Sequence, residues 1–109
     1  MLAVVALGGN AITPRGSSGS PEEQWSAVRV ATRALADIVL EGFKLVITHG
    51  NGPQVGYLME TFDLLPSYIP RQTLDLAVAM TQGWIGFLIA HSLEEELARR
   101  GLKKHVAVI

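Results

Sequence analysis

Two short runs hold the residues best suited to chemistry: Gly8-Gly9-Asn10 in "ALGGNA" and Gly50-Asn51-Gly52 in "THGNGPQVG". Each follows an apolar stretch, and the second is closed by Pro53, a residue suited to the first turn of a helix. Glycine lets a backbone come close to a ligand with no Cβ in the way and opens positive φ. Successive N–H groups in such a turn attract anions, and a helix starting near Pro53 adds the positive end of its dipole. An asparagine amide donates to phosphate or carbonyl oxygens. The chemistry on offer is therefore the holding of an oxyanion or phosphoryl group against bare backbone. The plain alternative is that Gly and Asn here are only turn residues. Neither run is a Walker A loop or a GxGxxG dinucleotide turn, since the required lysine, hydroxyl and spacing are absent.

Other reactive side chains have ordinary roles open to them. His49, at the end of an apolar run, suits acid–base work or a backbone hydrogen bond. Asp75 suits a cation or the first turn of a helix, where its charge favours the dipole. Arg15 could reach a phosphate or simply be solvated. His91 and His105 read as structural or exposed, and Trp84, Phe87 and Leu88 as core or interface residues.

The elements that must position the two loops are legible in the pattern. "LAVVAL" (Leu2 to Leu7) reads as a parallel strand buried on both faces. Ser20, Pro21 and Glu23 open a helix with a capping box, and Gly42 stops it. "FKLVITH" (Phe43 to His49) is the next strand, which makes a βαβ unit. The spacing predicts a helix over Pro53 to Phe62 and a long one from about Gln72 to Arg100, ended by Gly101. Pairs Glu95/Arg99 and Glu96/Arg100 lie four apart near its end. "HVAVI" (His105 to Ile109) predicts the start of a third strand. Both loops then follow strand ends, where an open parallel sheet binds its ligands. They are expected to face one cleft.

Bulk properties narrow the class. The chain has 109 residues, 49% hydrophobic and 17% charged, which suits one packed α/β domain and argues against disorder. A net charge of −1 gives no basic field for nucleic acid or an anionic membrane. No cysteine is present, which excludes a disulfide framework and a thiolate zinc site. The apolar stretch Leu76 to Ala90 falls short of the ~20 residues that span a bilayer and reads as a buried helix.

Taken together, "ALGGNA", "THGNGPQVG" and "DLAVAMTQGWIG" (Asp75 to Gly86) resemble carbamate kinase, within the amino-acid kinase superfamily. The resemblance covers essentially the whole chain. It implies a three-layer αβα fold with a mostly parallel sheet, cut after the third strand begins. It implies phosphoryl transfer between carbamoyl phosphate and ADP, giving ATP and carbamate with Mg²⁺, in a cytoplasmic homodimer of arginine metabolism. By that likeness Gly8, Gly9, Asn10, Gly50, Asn51 and Gly52 line the carbamate and phosphoryl side of the site. Many relatives in the superfamily carry a lysine where Ala6 stands, and the alanine matches the carbamate kinase branch. Residues 1–109 are expected to be the substrate-side part of a longer domain. The nucleotide-binding half and the catalytic lysines are expected beyond Ile109, because Lys44, Lys103 and Lys104 match none of them. The long helix, apolar almost all round, is the expected dimer contact. The competing reading is a non-catalytic module that keeps the fold and binds an anion or acyl phosphate.

Overall fold

The computed structural model describes residues 1–109. Its elements run β1 (Leu2–Leu7), α1 (Gly9–Ile12), α2 (Pro21–Leu40), β2 (Lys44–His49), α3 (Gly52–Leu64) and α4 (Leu74–Arg99). β1 and β2 pair in parallel, from Leu2 opposite Lys44 to Leu7 opposite His49. That register brings the two strand ends level, so both glycine runs leave the sheet at the same edge. The fold is α/β, as the alternation of strand and helix predicts.

Helix α2 starts where the sequence says it should. Ser20 Oγ accepts from the Glu23 N–H at 3.2 Å. The return half of the capping box is displaced by one residue: the Glu23 carboxylate accepts from the Gly19 N–H at 3.0 Å and from Ser18 Oγ. Gly42, at φ 94°, stops the helix, with its N–H bonded to the Val39 carbonyl. Gly101, at φ 86°, does the same for α4.

Helices α2 and α4 pack on one face of the sheet. Leu35, Ala36, Val39, Leu93 and Leu97 are buried against Val5, Leu7, Leu45 and Ile47. A second cluster of Ile12, Val28, Ile85, Leu88 and Ile89 lies towards the glycine runs, with Leu7, Ile47, Trp25 and Trp84 around it. The opposite face is bare: Leu2, Val4 and Val46 are exposed. The strands therefore differ from the expectation of burial on both faces, because this chain supplies a helical layer to one side only. Residues 1–109 thus form a two-stranded parallel sheet covered by one helical layer.

Residues 105–109 also depart from expectation. They form no ladder with β2. The Val106 N–H donates to Glu94 Oε1 at 2.7 Å, and Val108 sits over Gly86, where a Cβ would collide with it. This segment is held by α4, and a strand exists only where a neighbouring strand takes its backbone bonds. Two smaller differences concern helix ends. Residues 9–12, read as loop, make a single helical turn, and α3 extends two residues beyond Phe62. Of the charge pairs expected near the end of α4, Glu96 and Arg100 meet at 2.8 Å, whereas Glu95 turns across to Arg29 at 3.9 Å.

Candidate functional site

The glycine runs meet. A Cβ built on Gly50 would lie 3.5 Å from the Gly9 nitrogen, and one on Gly9 would lie 3.7 Å from Pro53 Cδ. The Gly50 N–H donates to the Leu7 carbonyl at 3.0 Å, which continues the strand pairing by one bond and fixes the second run beside the first. Gly8, Gly9, Asn10, Gly50, Asn51 and Gly52 thus share one crevice at the carboxyl ends of β1 and β2, the place where parallel sheets bind ligands.

Of the two reasons for glycine that the sequence suggested, close approach without a Cβ and positive φ, only the first holds. None of Gly8, Gly9, Gly50 or Gly52 has positive φ; that conformation belongs to Gly16, Gly19, Gly42 and Gly101. Backbone freedom is therefore not what the crevice glycines supply. Gly8 and Gly52 have no heavy atom within 4 Å of a built Cβ, so their lack of a side chain leaves open space above the backbone. The N–H groups of Gly8 and Asn51 have no acceptor within the chain. Open space beside unfilled donors, at the head of the thirteen-residue α3, is what an anion requires.

The first turn of α3 is anchored by buried amides. Gln54, fully buried, donates from Nε2 to Thr13 Oγ1 at 2.9 Å and to Gln24 Oε1 at 3.3 Å. Gln24 in turn donates to the Gly19 carbonyl at 2.8 Å. Asn51 Nδ2 donates to Thr81 Oγ1 on α4 at 3.0 Å. The side chain expected to serve a ligand is thus also tied to a helix thirty residues away. Sequence reasoning missed Thr13, Gln24, Gln54 and Thr81. Their signal is the polar residue that interrupts an apolar helical stripe: Thr81 stands between buried Ala77 and Ile85, four residues from each.

The other candidates lie outside this arrangement. His49 Nδ1 is 3.2 Å from the Gly50 carbonyl, its backbone neighbour, which suits the hydrogen-bonding role better than acid–base work. Asp75 sits in the first turn of α4, where a hydrogen bond with the Thr73 side chain and then the backbone N–H of Leu76 hold its carboxyl below the usual range. Arg15 is exposed in the α1–α2 loop. Trp84 and Leu88 face the core, while Phe87, 59% exposed, stacks on His91 and meets the edge of Trp25. The crevice loops carry no acidic residue, and no cluster of His, Asp and Glu fit for a metal occurs in the chain. A cavity of about 500 Å³ lies elsewhere, between β2, α4 and residues 104–109. Its lining is mostly aliphatic, which suits packing and not anion binding.

Residues 1–105 match the model of the amino acid kinase family. The chain is 50% identical to the carbamate kinase of Pyrococcus furiosus over 97% of its length, and 51% identical to that of Thermococcus kodakarensis over the same share. It spans about a third of the length of these relatives: 34% and 35%. A crystal structure from Aeropyrum pernix K1 superposes on the whole chain with a TM-score of 0.95 at 58% identity, and 35% of that chain is covered. The carbamate kinase of Giardia lamblia bound to AMP-PNP superposes on 93% of the chain with a TM-score of 0.88 at 31% identity, again over 35% of its own length.

Proposed function

The chain belongs to the amino acid kinase family, and from that premise we propose that it forms the substrate side of a carbamate kinase site. The reaction moves a phosphoryl group from carbamoyl phosphate to ADP, yielding carbamate and ATP. The observation that carries this reading is the crevice itself: two glycine runs in contact, with unfilled N–H groups and open space above them. Phosphoryl transfer needs positioning and charge stabilisation more than covalent chemistry. Backbone donors aimed at the transferring oxygens supply part of that stabilisation.

In this reading Gly8, Gly9, Asn10, Gly50, Asn51 and Gly52 bind the carbamate and phosphoryl end. The nucleotide half and the catalytic lysines belong to the rest of a longer cytoplasmic protein, of which residues 1–109 are the N-terminal part. The likeness to relatives three times as long supports this division. Mg²⁺ accompanies the nucleotide in this chemistry, but the crevice residues offer it no carboxylate, so its ligands lie elsewhere. The test is ATP formation from carbamoyl phosphate and ADP. The full-length protein should catalyse it and the isolated 109-residue chain should not. Turnover by the isolated chain would overturn the division, and tight carbamoyl phosphate binding without turnover by the full-length protein would favour a non-catalytic binding module.

The same reading makes the protein a homodimer through α4. One stripe of α4 is buried, while Leu76, Met80 and Phe87 are 45%, 45% and 59% exposed on other sides. Trp84 packs inward, so Phe87 is the cleaner probe. The full-length protein should sediment as a dimer, and Phe87→Glu should shift it to monomer. A Phe87→Glu variant that stays dimeric, or a monomeric wild type, removes α4 as the contact.

A further inference from the structure

Asn51 occupies the N-cap of α3, a position where an asparagine side chain ordinarily accepts from the N–H groups of its own first turn. It makes no such bond. Its amide instead reaches across to α4 and donates to Thr81 Oγ1 at 3.0 Å. Thr81 is fully buried, and its single hydroxyl hydrogen goes to the Val78 carbonyl at 2.7 Å. With that hydrogen committed, the Thr81 oxygen can only accept, so it takes the NH₂ end of the Asn51 amide and not the carbonyl end.

We infer that Thr81 is a positioning residue: by taking the NH₂ end of the Asn51 amide, it fixes the one polar side chain of the second glycine run at the crevice. The inference rests on the reading of the crevice as the phosphoryl side of the site. Two features make the bond a device and not incidental packing. The local cap is closed to this asparagine, because Pro53 at the second helical position has no N–H, Gln54 at the third is fully buried, and Asn51 at ψ 9° lacks the extended backbone of a capping residue. The bond to Thr81 comes from a 26-residue helix that carries none of the glycine runs, so the orientation of the amide is imposed by tertiary structure. Without the hydroxyl, the Asn51 amide loses its partner on α4 and with it its fixed orientation at the crevice.

The test is steady-state kinetics of the full-length protein with Thr81→Val, Thr81→Ser, Asn51→Ala and the double variant Asn51→Ala/Thr81→Val, with Gly52→Val measured beside them. Valine keeps the shape of threonine and removes only the hydroxyl. Thr81→Val should lower kcat on the order of ten-fold, the size expected for one misplaced buried hydrogen bond. Thr81→Ser, which keeps the hydroxyl, should stay within about two-fold of wild type. In the Asn51→Ala background the valine should cost nothing further, because no amide is left to hold. If Thr81→Val proves too unstable to assay, Thr81→Ala should show the same loss and the same dependence on Asn51. Normal turnover in Thr81→Val beside an impaired Gly52→Val overturns the inference and leaves the reading of the crevice standing. A valine effect that persists undiminished without the Asn51 amide marks a purely structural role and also overturns it. Normal turnover in Gly52→Val removes the reading of the crevice, and the inference with it.

Discussion

At the carboxyl ends of the strands the two glycine runs hold no charged side chain, and the N–H groups of Gly8 and Asn51 go without acceptors. At the amino ends, a group of charged side chains pairs within the chain. Arg100 reaches Asp37 and Glu96 together with the Arg33 carbonyl, and Arg99 adds a second bond to Glu96. The neighbouring carboxylates, Asp37 first and then Glu96, raise the Arg100 pKa above its ordinary value. The glycines divide the same way. Gly42 and Gly101 stop α2 and α4 at positive φ, a backbone requirement. The crevice glycines have ordinary φ and leave space. One end of the sheet is closed by bonds within the chain, and the other leaves donors open to water or a ligand. An unpaired donor is tolerable only where water or a ligand can reach it, and this is the ground on which the proposed site is put at the carboxyl end.

The largest effect that could break this contrast is at Gly52. Gly52→Val puts a branched side chain into open space above the backbone, with no strain from φ. The full-length protein should lose about 3 kcal/mol of transition-state stabilisation, on the order of a hundred-fold in kcat/KM. Urea unfolding of the same variant should move little. Near-normal turnover would make the crevice a simple turn. Gln54→Leu comes next and should read mainly as stability. It leaves Thr13 Oγ1 and Gln24 Oε1 without the buried donor they share, at a cost of about 2 kcal/mol by denaturant unfolding.

At the amino end the effects should be smaller and confined to folding. Gly42→Ala and Gly101→Ala each force an L-residue into the left-handed region and should cost about 1 kcal/mol of stability. Arg100→Met should lower the thermal midpoint, because it leaves Asp37 without its cation and Glu96 with Arg99 alone. None of the three should change kcat. A kcat effect at this end, comparable with that at Gly52, would erase the distinction between the two ends.

Much of this was legible in the residues, for a definable reason. Ser20, Pro21, Glu23, Gly42 and Gly101 act through bonds within a few positions of themselves, so their spacing announces the ends of α2 and α4. The two glycine runs were legible as a pair because parallel strands end level once they are in register. What escaped were effects set by distant residues. Nothing local to Asn51 says that its amide will be taken by Thr81. Nothing in "HVAVI" says that Val106 will bond to Glu94 in place of a neighbouring strand. The apolar run of β1 gave no sign that one face would stay bare, because a run apolar on both faces looks the same whether or not a second helical layer is supplied.

The smallest effect concerns Asp75, the carboxylate in the first turn of α4, the helix that carries Thr81 toward the crevice. Its pKa in the folded chain is lowered from the ordinary 3.8, first by the Thr73 side chain and then by the backbone N–H of Leu76. A carboxyl with a depressed folded pKa binds protons less readily folded than unfolded. Its stabilising contribution is therefore fully present above about pH 3.8 and disappears as the pH falls through the lower folded value. Asp75→Asn removes that titration. Wild type should be the more stable protein at neutral pH, and the difference between wild type and variant should shrink as the medium is acidified below that point. Urea unfolding from pH 6 down to pH 2.5 reads it directly. Asp75 is exposed and contributes nothing to the crevice in this account, so kcat at neutral pH should be the same in both. A variant equally stable throughout would mean that the Thr73 bond is made in the unfolded chain as well. A variant with normal stability but lowered kcat would extend the functional end of the molecule to the start of α4.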